Sequence, residues 1–343
     1  MTISACLMGV ALLVLGSASP ERLTSQAMNI LAAFVVMRVA AQTPPQRLMH
    51  LAVPMYVLGV LLLIAVALVG DVSKGARRWL NVGVRIQPSE LMKIAMPLML
   101  AWYFQKREVA IGLRDYVVSA LLLLVPVALI AKQPDLGTAI LVLAAGFYVI
   151  FFAGLSWKVM IGLLIAAGGA APFAWSRMHD YQRARILTLF DPESDPLGKG
   201  FHIIQSTIAI GSGGIFGKGW GQGTQAQLEF IPERHTDFIF AVMSEEFGLV
   251  GDLVLLTIYS LLIGRGLMIA ANAPTLFTRL LAGAITLIFF TYAFVNMGMV
   301  SGILPVVGVP LPFVSYGGTA LVTLFLGIGI LMSIHKNRML VQK

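Results

Sequence analysis

Apolar runs of about 20 residues recur along the 343-residue chain, and this repetition limits its possible folds more than any other feature. A helix of roughly 20 apolar residues crosses the hydrocarbon core of a bilayer. The short alternating segments that are typical of transmembrane strands do not occur. Because 58% of the residues are hydrophobic and only 12% are charged, the sequence predicts an all-α, polytopic integral membrane protein rather than a soluble domain.

The runs predict about ten transmembrane helices in a single domain that covers residues 1–343. Residues 176–235 are polar, rich in glycine and too long for a passive connection, so they are predicted to form one long loop. Six of the predicted helices lie near 3–19, 28–41, 51–70, 116–131, 237–262 and 280–300. The fourth begins near 88, the sixth follows the break at 132–137 and ends near 155, the seventh follows the turn 156–158 and ends near 175, and the tenth follows 318.

Ten helices put both chain ends on one side of the membrane, and the basic residues indicate which side that is. Cytoplasmic loops are enriched in Lys and Arg, so this side is predicted to be cytoplasmic and the loop 176–235 extracytoplasmic. The basic residues concerned are Arg47, Lys106, Arg107, Arg114, Lys158, Arg265, Arg279, Lys336 and Arg338.

The segment 71–87 is basic, although the same topology places it outside. Its arginines Arg77, Arg78 and Arg85 therefore need a separate explanation. One explanation is an anionic ligand on the outer face, and the alternative is that these side chains reach lipid headgroups. The net charge of +8 also favours headgroups or an anionic lipid-linked substrate over nucleic acid, for which no binding motif occurs.

Asp237 stands where a polar run meets an apolar one. The residues before it are Glu-Arg-His-Thr, and Phe238, Ile239 and Phe240 follow it directly. A carboxylate at the edge of a bilayer is costly, and it is by default a candidate functional group. The alternative is a structural role, because Asp also favours the first turn of a helix through capping and the helix dipole. Both roles can hold together.

A second candidate pair begins the fourth predicted helix. Pro88 fits the first helical position, and Glu90 then falls in the first turn. Glu90 and Lys93 are three residues apart, so they share one helix face and can form an ion pair. Lys93 could face an anionic substrate, or the pair could serve only to hold helices together.

Other functional classes find little support in the sequence. The single cysteine, Cys6, excludes an internal disulfide and a thiolate cluster. The glycine-rich segment 211–220 lacks the spacing of a phosphate-binding loop, and the acids of segment 191–195 lack the glycine of a calcium loop. No histidine has metal-ligand or nucleophile spacing. The sequence therefore predicts no metal site and no cofactor. No pattern indicates a divalent cation, and the sequence leaves open whether one takes part in the reaction.

What remains is one carboxylate at the outer interface with cations close by in the sequence. Glycosyl transfer from a lipid-linked diphosphate sugar needs a general base for the acceptor hydroxyl and positive charge for the departing diphosphate. It needs neither a redox cofactor nor a nucleotide. The residue pattern is thus typical of this kind of transfer at a membrane surface.

Five motifs point to a known family, and they cover the chain from about residue 74 onward. The sequence resembles the SEDS proteins (shape, elongation, division and sporulation), and the segment 305–311 is closer to the RodA-like elongation branch than to the division branch. The motifs are Arg77-Arg78-Trp79-Leu80, Gln87-Pro88-Ser89-Glu90, Gln133-Pro134-Asp135-Leu136-Gly137-Thr138, Pro232-Glu233-Arg234-His235-Thr236-Asp237-Phe238 and Ser301-Gly302-Ile303-Leu304-Pro305.

The resemblance implies a peptidoglycan glycosyltransferase that polymerises lipid II with inversion during cell-wall elongation. It implies a bacterial cytoplasmic (inner) membrane location, a site facing the periplasm or cell exterior, and two kinds of partner: a class B penicillin-binding protein and elongation-complex membrane proteins. Asp237 matches the family's catalytic aspartate. The other expected substrate-binding or cavity residues are Glu90, Lys93, Arg77, Arg78, Gln87, Arg234, His235 and Ser315.

Two other functions stay open. A lipid II flippase could use the charged pair inside the fourth helix as part of a translocation path. A non-catalytic scaffold of the elongation complex needs no chemistry at all. The position of Asp237 at the outer edge, away from the bilayer midplane, favours chemistry at the membrane surface over transport.

Overall fold

The structure is a computed structural model that describes residues 1–73, 76–81, 85–107, 111–178, 180–194, 198–231 and 233–338. Within these ranges it is a bundle of helices with one small antiparallel sheet, β1 (Asp71–Ser73), β2 (Ala76–Asn81) and β3 (Arg85–Ile86). The helices are α1 (Thr2–Ala18), α2 (Leu23–Gln42), α3 (Pro45–Val69), α4 (Pro88–Lys106), α5 (Leu113–Lys132), α6 (Leu136–Phe152), α7 (Trp157–Arg177), α8 (Asp180–Phe190), α9 (Lys199–Gly213), α10 (Thr224–Gln227), α11 (Ile239–Ala271), α12 (Leu276–Val300) and α13 (Gly318–Asn337).

Ten of these helices coincide with the ten predicted spans, namely α1 to α7 and α11 to α13. Six helices of the described chain are both long and apolar enough to cross a bilayer: α2 together with the turn before it, α3, α5, α11, α12 and α13. Helices α1 and α6 and residues 157–173 of α7 are apolar but shorter. The all-α membrane class is confirmed, and the count of ten stays a prediction.

Helices α4 and α12 form the centre of the bundle. Fourteen of the 19 residues of α4 are buried, and it packs against α3, α6, α12 and α13. Because other helices cover most of α4, it can carry Glu90 and Lys93 with little exposure of their charges to hydrocarbon. Helix α7 is the opposite case. Its apolar side chains, Leu163, Leu164 and Ile165 among them, are exposed, as expected of a helix surrounded by lipid.

Two segments that were predicted to be loops contain regular structure. The segment 71–87 holds the three-stranded sheet, in which Asp71 pairs with Trp79 and Leu80 pairs with Ile86. The long segment 176–235 contains α8, α9 and α10. Both segments were predicted to be loops because their composition is too polar for a transmembrane helix. Such a composition says little about short helices or strands outside the membrane.

Helix α11 is broken at Gly248, whose φ of +63° a residue with a side chain rarely adopts. The break leaves helical backbone groups unpaired, and the glycine-rich segment 214–219 satisfies them. The amides of Leu249 and Val250 donate to the carbonyls of Gly214 and Ile215, and the amide of Lys218 donates to the carbonyl of Glu245. The Lys218 ammonium also pairs with the buried Glu245 carboxylate at 2.7 Å. This segment therefore has a structural role at the break in α11.

Candidate active site

A polar cavity of about 200 Å³ lies where β2 and the starts of α4, α6 and α11 meet the segment that precedes α13. It brings together five of the residues predicted from the sequence. Those five are Arg78, Gln87, Glu90, Lys93 and Asp237. Further lining residues that the sequence analysis did not select include Trp79, Asp135, Thr138, Thr236, Gly308 and Tyr316.

Lys93 is the central cation on the α4 side of the cavity. Its ammonium lies 2.6 Å from Glu90 Oε1 and also donates to the hydroxyl of Tyr292 on α12. Lys93 is only 2% exposed and Glu90 8%, so this ion pair is almost fully removed from solvent. Glu90 Oε2 is buried and has no hydrogen-bond partner among the described residues. The predicted ion pair is thus present, and Tyr292 is a partner that the sequence analysis missed.

Asp135 is the acidic residue that the sequence analysis quoted in a motif but did not select. Its carboxylate caps α6, since Oδ1 accepts from the amide of Thr138 at 3.3 Å. Oδ2 accepts from Gln87 Nε2 at 3.1 Å and lies 3.8 Å from Arg78 Nε. Arg78 Nη2 also donates to the carbonyl of Pro134 at 3.1 Å. Asp135 therefore ties the sheet, α4 and α6 together at the cavity wall.

Asp237 lies in the turn before α11, which begins at Ile239. Phe238 occupies the N-cap position, so the prediction that a helix begins at Asp237 is wrong by two residues. The Asp237 side chain is half-buried and lines the cavity. Its backbone carbonyl accepts a hydrogen bond of 2.8 Å from the amide of Asn296, a fully buried residue of α12. The backbone at Asp237 is therefore held by α12.

The segment 301–317 closes the cavity over Asp237. Asn296 Nδ2 donates to the carbonyl of Val309 at 2.7 Å as well as to Asp237, so one amide holds both segments. Ser315 Oγ donates to the carbonyl of Thr236 at 2.6 Å and accepts from the amide of Leu311 at 2.8 Å. Ser315, predicted as a substrate-binding or cavity residue, does not line the cavity and acts on the backbone beside Asp237.

Gly308 of this segment faces the Asp237 carboxylate. Its φ is +74°, and a Cβ added there would lie 3.4 Å from Asp237 Oδ2. We expect Gly308→Ala to cost about 1–2 kcal/mol of stability, because a side chain is disfavoured in this conformation. We also expect turnover to fall by roughly 10- to 100-fold, because the methyl group displaces whatever approaches that face of the carboxylate.

Gly302 provides the matched control for this prediction. Its φ is +73°, so an alanine there carries the same backbone cost. An added Cβ would meet only the methyl groups of Ile203 and Thr207, at 3.4 and 3.5 Å. Unfolding and turnover measurements should show a similar loss of stability for both variants and a loss of turnover for Gly308→Ala alone. Equal turnover in the two variants would show that a methyl group at Gly308 does not obstruct the approach to the Asp237 carboxylate.

Besides Ser315, three predicted residues do not line the cavity. Arg77 is exposed on β2. The Arg234 guanidinium donates to the carbonyl of Ala18 at 2.7 Å and that of Ala226 at 2.8 Å, which fastens its segment to α1 and α10. The His235 ring packs edge-on against Tyr316, with 5.9 Å between the ring centroids. Burial, and then the positive charge of Arg22, lower the pKa of His235, so its neutral form is favoured.

Two parts of the sequence hypotheses fall partly outside the described residues. The side chain of Arg85 is not among the described ones. Asp195, the last of the three acids considered for a calcium loop, lies outside the described residues. In the described part of the chain, no group of three or more His, Cys, Asp or Glu side chains is placed to hold a metal ion.

Comparison with known proteins agrees with the fold and the motifs. The model of the FtsW/RodA/SpoVE family, described as cell cycle proteins, matches residues 3–340. Peptidoglycan glycosyltransferase MrdB of Escherichia coli (strain K12) is 56% identical over 311 residues, which cover 90% of this chain and 84% of MrdB.

Two solved structures extend this comparison to three dimensions. A chain of a peptidoglycan synthase complex, studied for its coordination of polymerization and crosslinking, is 37% identical with a TM-score of 0.86, and the match covers 98% of this chain and 96% of that one. The rod shape determining protein RodA of Thermus thermophilus is 31% identical with a TM-score of 0.75, covering 98% and 95% of the two chains.

These matches extend over almost the whole chain, including the polar cavity and the long apolar helices. They confirm the predicted resemblance to SEDS proteins. Together with the six membrane-length helices of the described chain, they show that this is a multi-pass membrane protein. The chain belongs to the FtsW/RodA/SpoVE family of cell cycle proteins.

Proposed function

We propose that this protein is a peptidoglycan glycosyltransferase that polymerises lipid II into glycan strands during cell-wall elongation. One observation carries the proposal: the Asp237 carboxylate and two cations, Lys93 and Arg78, line the same small cavity. A base and positive charge are the two groups that transfer from a diphosphate-linked sugar requires. The 56% identical relative MrdB is named a peptidoglycan glycosyltransferase.

In the proposed reaction Asp237 removes the proton from the acceptor sugar hydroxyl as its oxygen attacks the anomeric carbon of the donor. The new glycosidic bond forms on the face opposite the leaving group, so the configuration at that carbon inverts. The bond from the anomeric carbon to the diphosphate oxygen breaks, and its electron pair leaves with the lipid diphosphate. Lys93 and Arg78 stabilise the charge that develops there.

The proposed chemistry needs no cofactor, because a carboxylate and cations already supply the base and the charge. A divalent cation, where one takes part, would come with the diphosphate as part of the substrate. EDTA treatment tests this idea: polymerisation should persist in the presence of the chelator if the side chains alone stabilise the diphosphate.

A membrane-bound donor must reach the cavity from the bilayer. A largely apolar crevice of about 410 Å³ lies between α2, α4 and α13, and it shares Gln87, Glu90 and Thr319 with the cavity. Hydrocarbon chains favour such a surface because its contact with water is costly. We infer that the polyprenyl chain of one substrate lies along this crevice while its diphosphate faces Lys93.

The proposed partner is a class B penicillin-binding protein, which would crosslink the strands, together with other membrane proteins of the elongation complex. Support comes from the solved synthase complex, which couples polymerization with crosslinking. The proposed location is the bacterial cytoplasmic (inner) membrane. The proposed orientation, with the cavity facing the periplasm or cell exterior, rests on the basic residues at the opposite end of the bundle.

The function is tested by incubating the purified protein and its partner transpeptidase with purified lipid II, after a β-lactam has blocked the transpeptidase. We expect polymeric glycan, because the β-lactam leaves the cavity described above untouched. The partner alone should give none. A mixture that binds lipid II without forming polymer would instead favour the flippase or scaffold function.

Arg77 and Arg78 provide a test of how the donor is held. Both are cations on β2, but only Arg78 lines the cavity. We expect Arg78→Gln to raise the KM for lipid II about 10- to 100-fold, because one charged hydrogen bond is worth about 1.5–3 kcal/mol. Arg77→Gln should change it much less, and mainly at low salt, since an exposed charge is screened over about 8–10 Å. Equal effects of the two changes would contradict a specific role for Arg78.

A further inference from the structure

A second cavity, of about 550 Å³, lies at the opposite end of the bundle from Asp237. Helices α11 and α13 begin beside the Asp237 cavity, so their last turns lie at the other end. The second cavity is formed there by the first turn of α1 and the closing turns of α2, α11 and α13. It shares no lining residue with the Asp237 cavity.

The polar lining of this second cavity is cationic. Arg38, Arg265, His335 and Lys336 line it, and no Asp or Glu does. None of the four forms an ion pair with a carboxylate within the described part of the chain. Arg265 Nη2 and His335 Nε2 lie 3.4 Å apart. Like charges that share a cavity repel one another, so an anion placed between them is favoured.

The helix dipoles do not account for all of these cations. A cation is stabilised near a helix C-terminus only within about the last turn. Lys336 and His335 meet that condition on α13. Arg38 and Arg265 do not, because neither α2 nor α11 has a basic residue in its last turn. The helix dipole therefore does not account for these two arginines, and the enrichment of basic residues at this end of the bundle does not by itself place both of them in one cavity.

The remaining wall of the cavity is apolar. Leu262 and Ile269 of α11 face it together with Ile328, Leu331 and Met332 of α13. A free anion such as inorganic phosphate would leave this wall in contact with water, whereas an amphiphile would cover it. Cationic pockets between membrane helices, at the level of the headgroups, suit phosphate-bearing lipids.

We propose that this cavity binds one anionic phospholipid from the membrane leaflet at this end of the bundle. Its phosphate lies among Arg38, Arg265 and Lys336, and an acyl chain covers the wall formed by α11 and α13. The proposal does not depend on the reaction at Asp237, because the two cavities are separate.

The test is lipid retention by the intact protein, measured by native mass spectrometry after titration with phosphatidylglycerol and, separately, phosphatidylcholine. The wild-type protein should retain one phosphatidylglycerol molecule in preference to phosphatidylcholine. The triple change Arg38→Gln, Arg265→Gln and Lys336→Gln should weaken that binding on the order of 100-fold, from about fivefold for each basic residue.

A matched control removes three basic residues of the same end that lie outside the cavity: Arg47→Gln, Lys158→Gln and Arg279→Gln. This variant has the same net charge as the first, and it should bind phosphatidylglycerol like the wild type. A second variant, Arg38→Lys and Arg265→Lys, keeps the charge and should retain most of the binding. Retained binding in this lysine variant would show that the cavity tolerates substitution without misfolding. Glycan polymerisation in detergent should be unchanged in the cavity variant, the control variant and the lysine variant.

Three outcomes would overturn the proposal. Equal weakening of phosphatidylglycerol binding in the cavity variant and the control variant would mean that any basic residue at this end attracts headgroups and that the cavity is not a specific site. Retention of phosphatidylglycerol by a folded cavity variant would remove the site altogether. Displacement of the bound lipid by millimolar inorganic phosphate would show an anion site that does not use the apolar wall.

Discussion

We expect Asp237→Asn to lower glycan polymerisation by about 10²–10⁴-fold, the range typical of a lost general base. Asparagine keeps the shape of the side chain, but it cannot accept the proton of the acceptor hydroxyl. Asn296 holds the backbone of residue 237 through its carbonyl, so this contact survives the change. Polymerisation of purified lipid II in the presence of the partner transpeptidase measures the effect.

Glu229→Gln is a suitable control for Asp237→Asn. Glu229 is a carboxylate of the same connecting segment, but its side chain is 76% exposed, pairs with Arg234 and does not line the cavity. Its replacement should leave polymerisation close to the wild-type rate. A folded Asp237→Asn protein that still polymerises lipid II at a normal rate would show that another group is the base.

The second large effect concerns the ion pair of Glu90 and Lys93. We expect Lys93→Met to destabilise the protein by about 3–5 kcal/mol, because it leaves the buried Glu90 carboxylate without its partner. The double change Glu90→Gln and Lys93→Met removes both charges, so it should cost clearly less. Thermal or denaturant unfolding in detergent measures both. The exposed pair of Glu21 and Arg22 gives a contrast, since its removal should cost about 1 kcal/mol or less.

Activity measurements on the same variants separate structure from catalysis. If Lys93 also stabilises the departing diphosphate, the double variant should remain inactive although it has regained stability. If the pair only holds helices together, polymerisation should recover along with stability. Such a recovery would remove Lys93 from the proposed mechanism and leave Arg78 as the cation beside the diphosphate.

The sequence alone determined the membrane class and the approximate positions of the helices, and it predicted the end of the bundle at which the chemistry takes place. These properties depend on local patterns, because an apolar run of sufficient length reports a span and a proline at the first helical position reports a helix start. The start of α4 at Pro88 and the Glu90–Lys93 pair were therefore predicted correctly. Boundaries were less accurate, since helices such as α3 continue into residues outside the apolar run.

The site was predicted only in part. Arg77 and Arg78 are adjacent and carry the same charge, so no sequence pattern could tell that only Arg78 lines the cavity. Asn296 is four residues after Tyr292 on α12, and two polar residues on one face of an apolar helix are a signal that could have drawn attention to both. Asp135 could have been recognised as the N-cap that precedes an apolar run.

Only the tertiary structure decided which of the candidate side chains lie around the same cavity. The cavity joins β2, α4, α6, the turn before α11 and the segment before α13, which are far apart along the chain. Their approach depends on how the helices pack, and on single contacts such as the Asn296 amide between Asp237 and Val309. Local periodicity reports the face of a helix but not its neighbour, so the positions of Asp237, Lys93 and Gly308 around one cavity could not be read from the sequence.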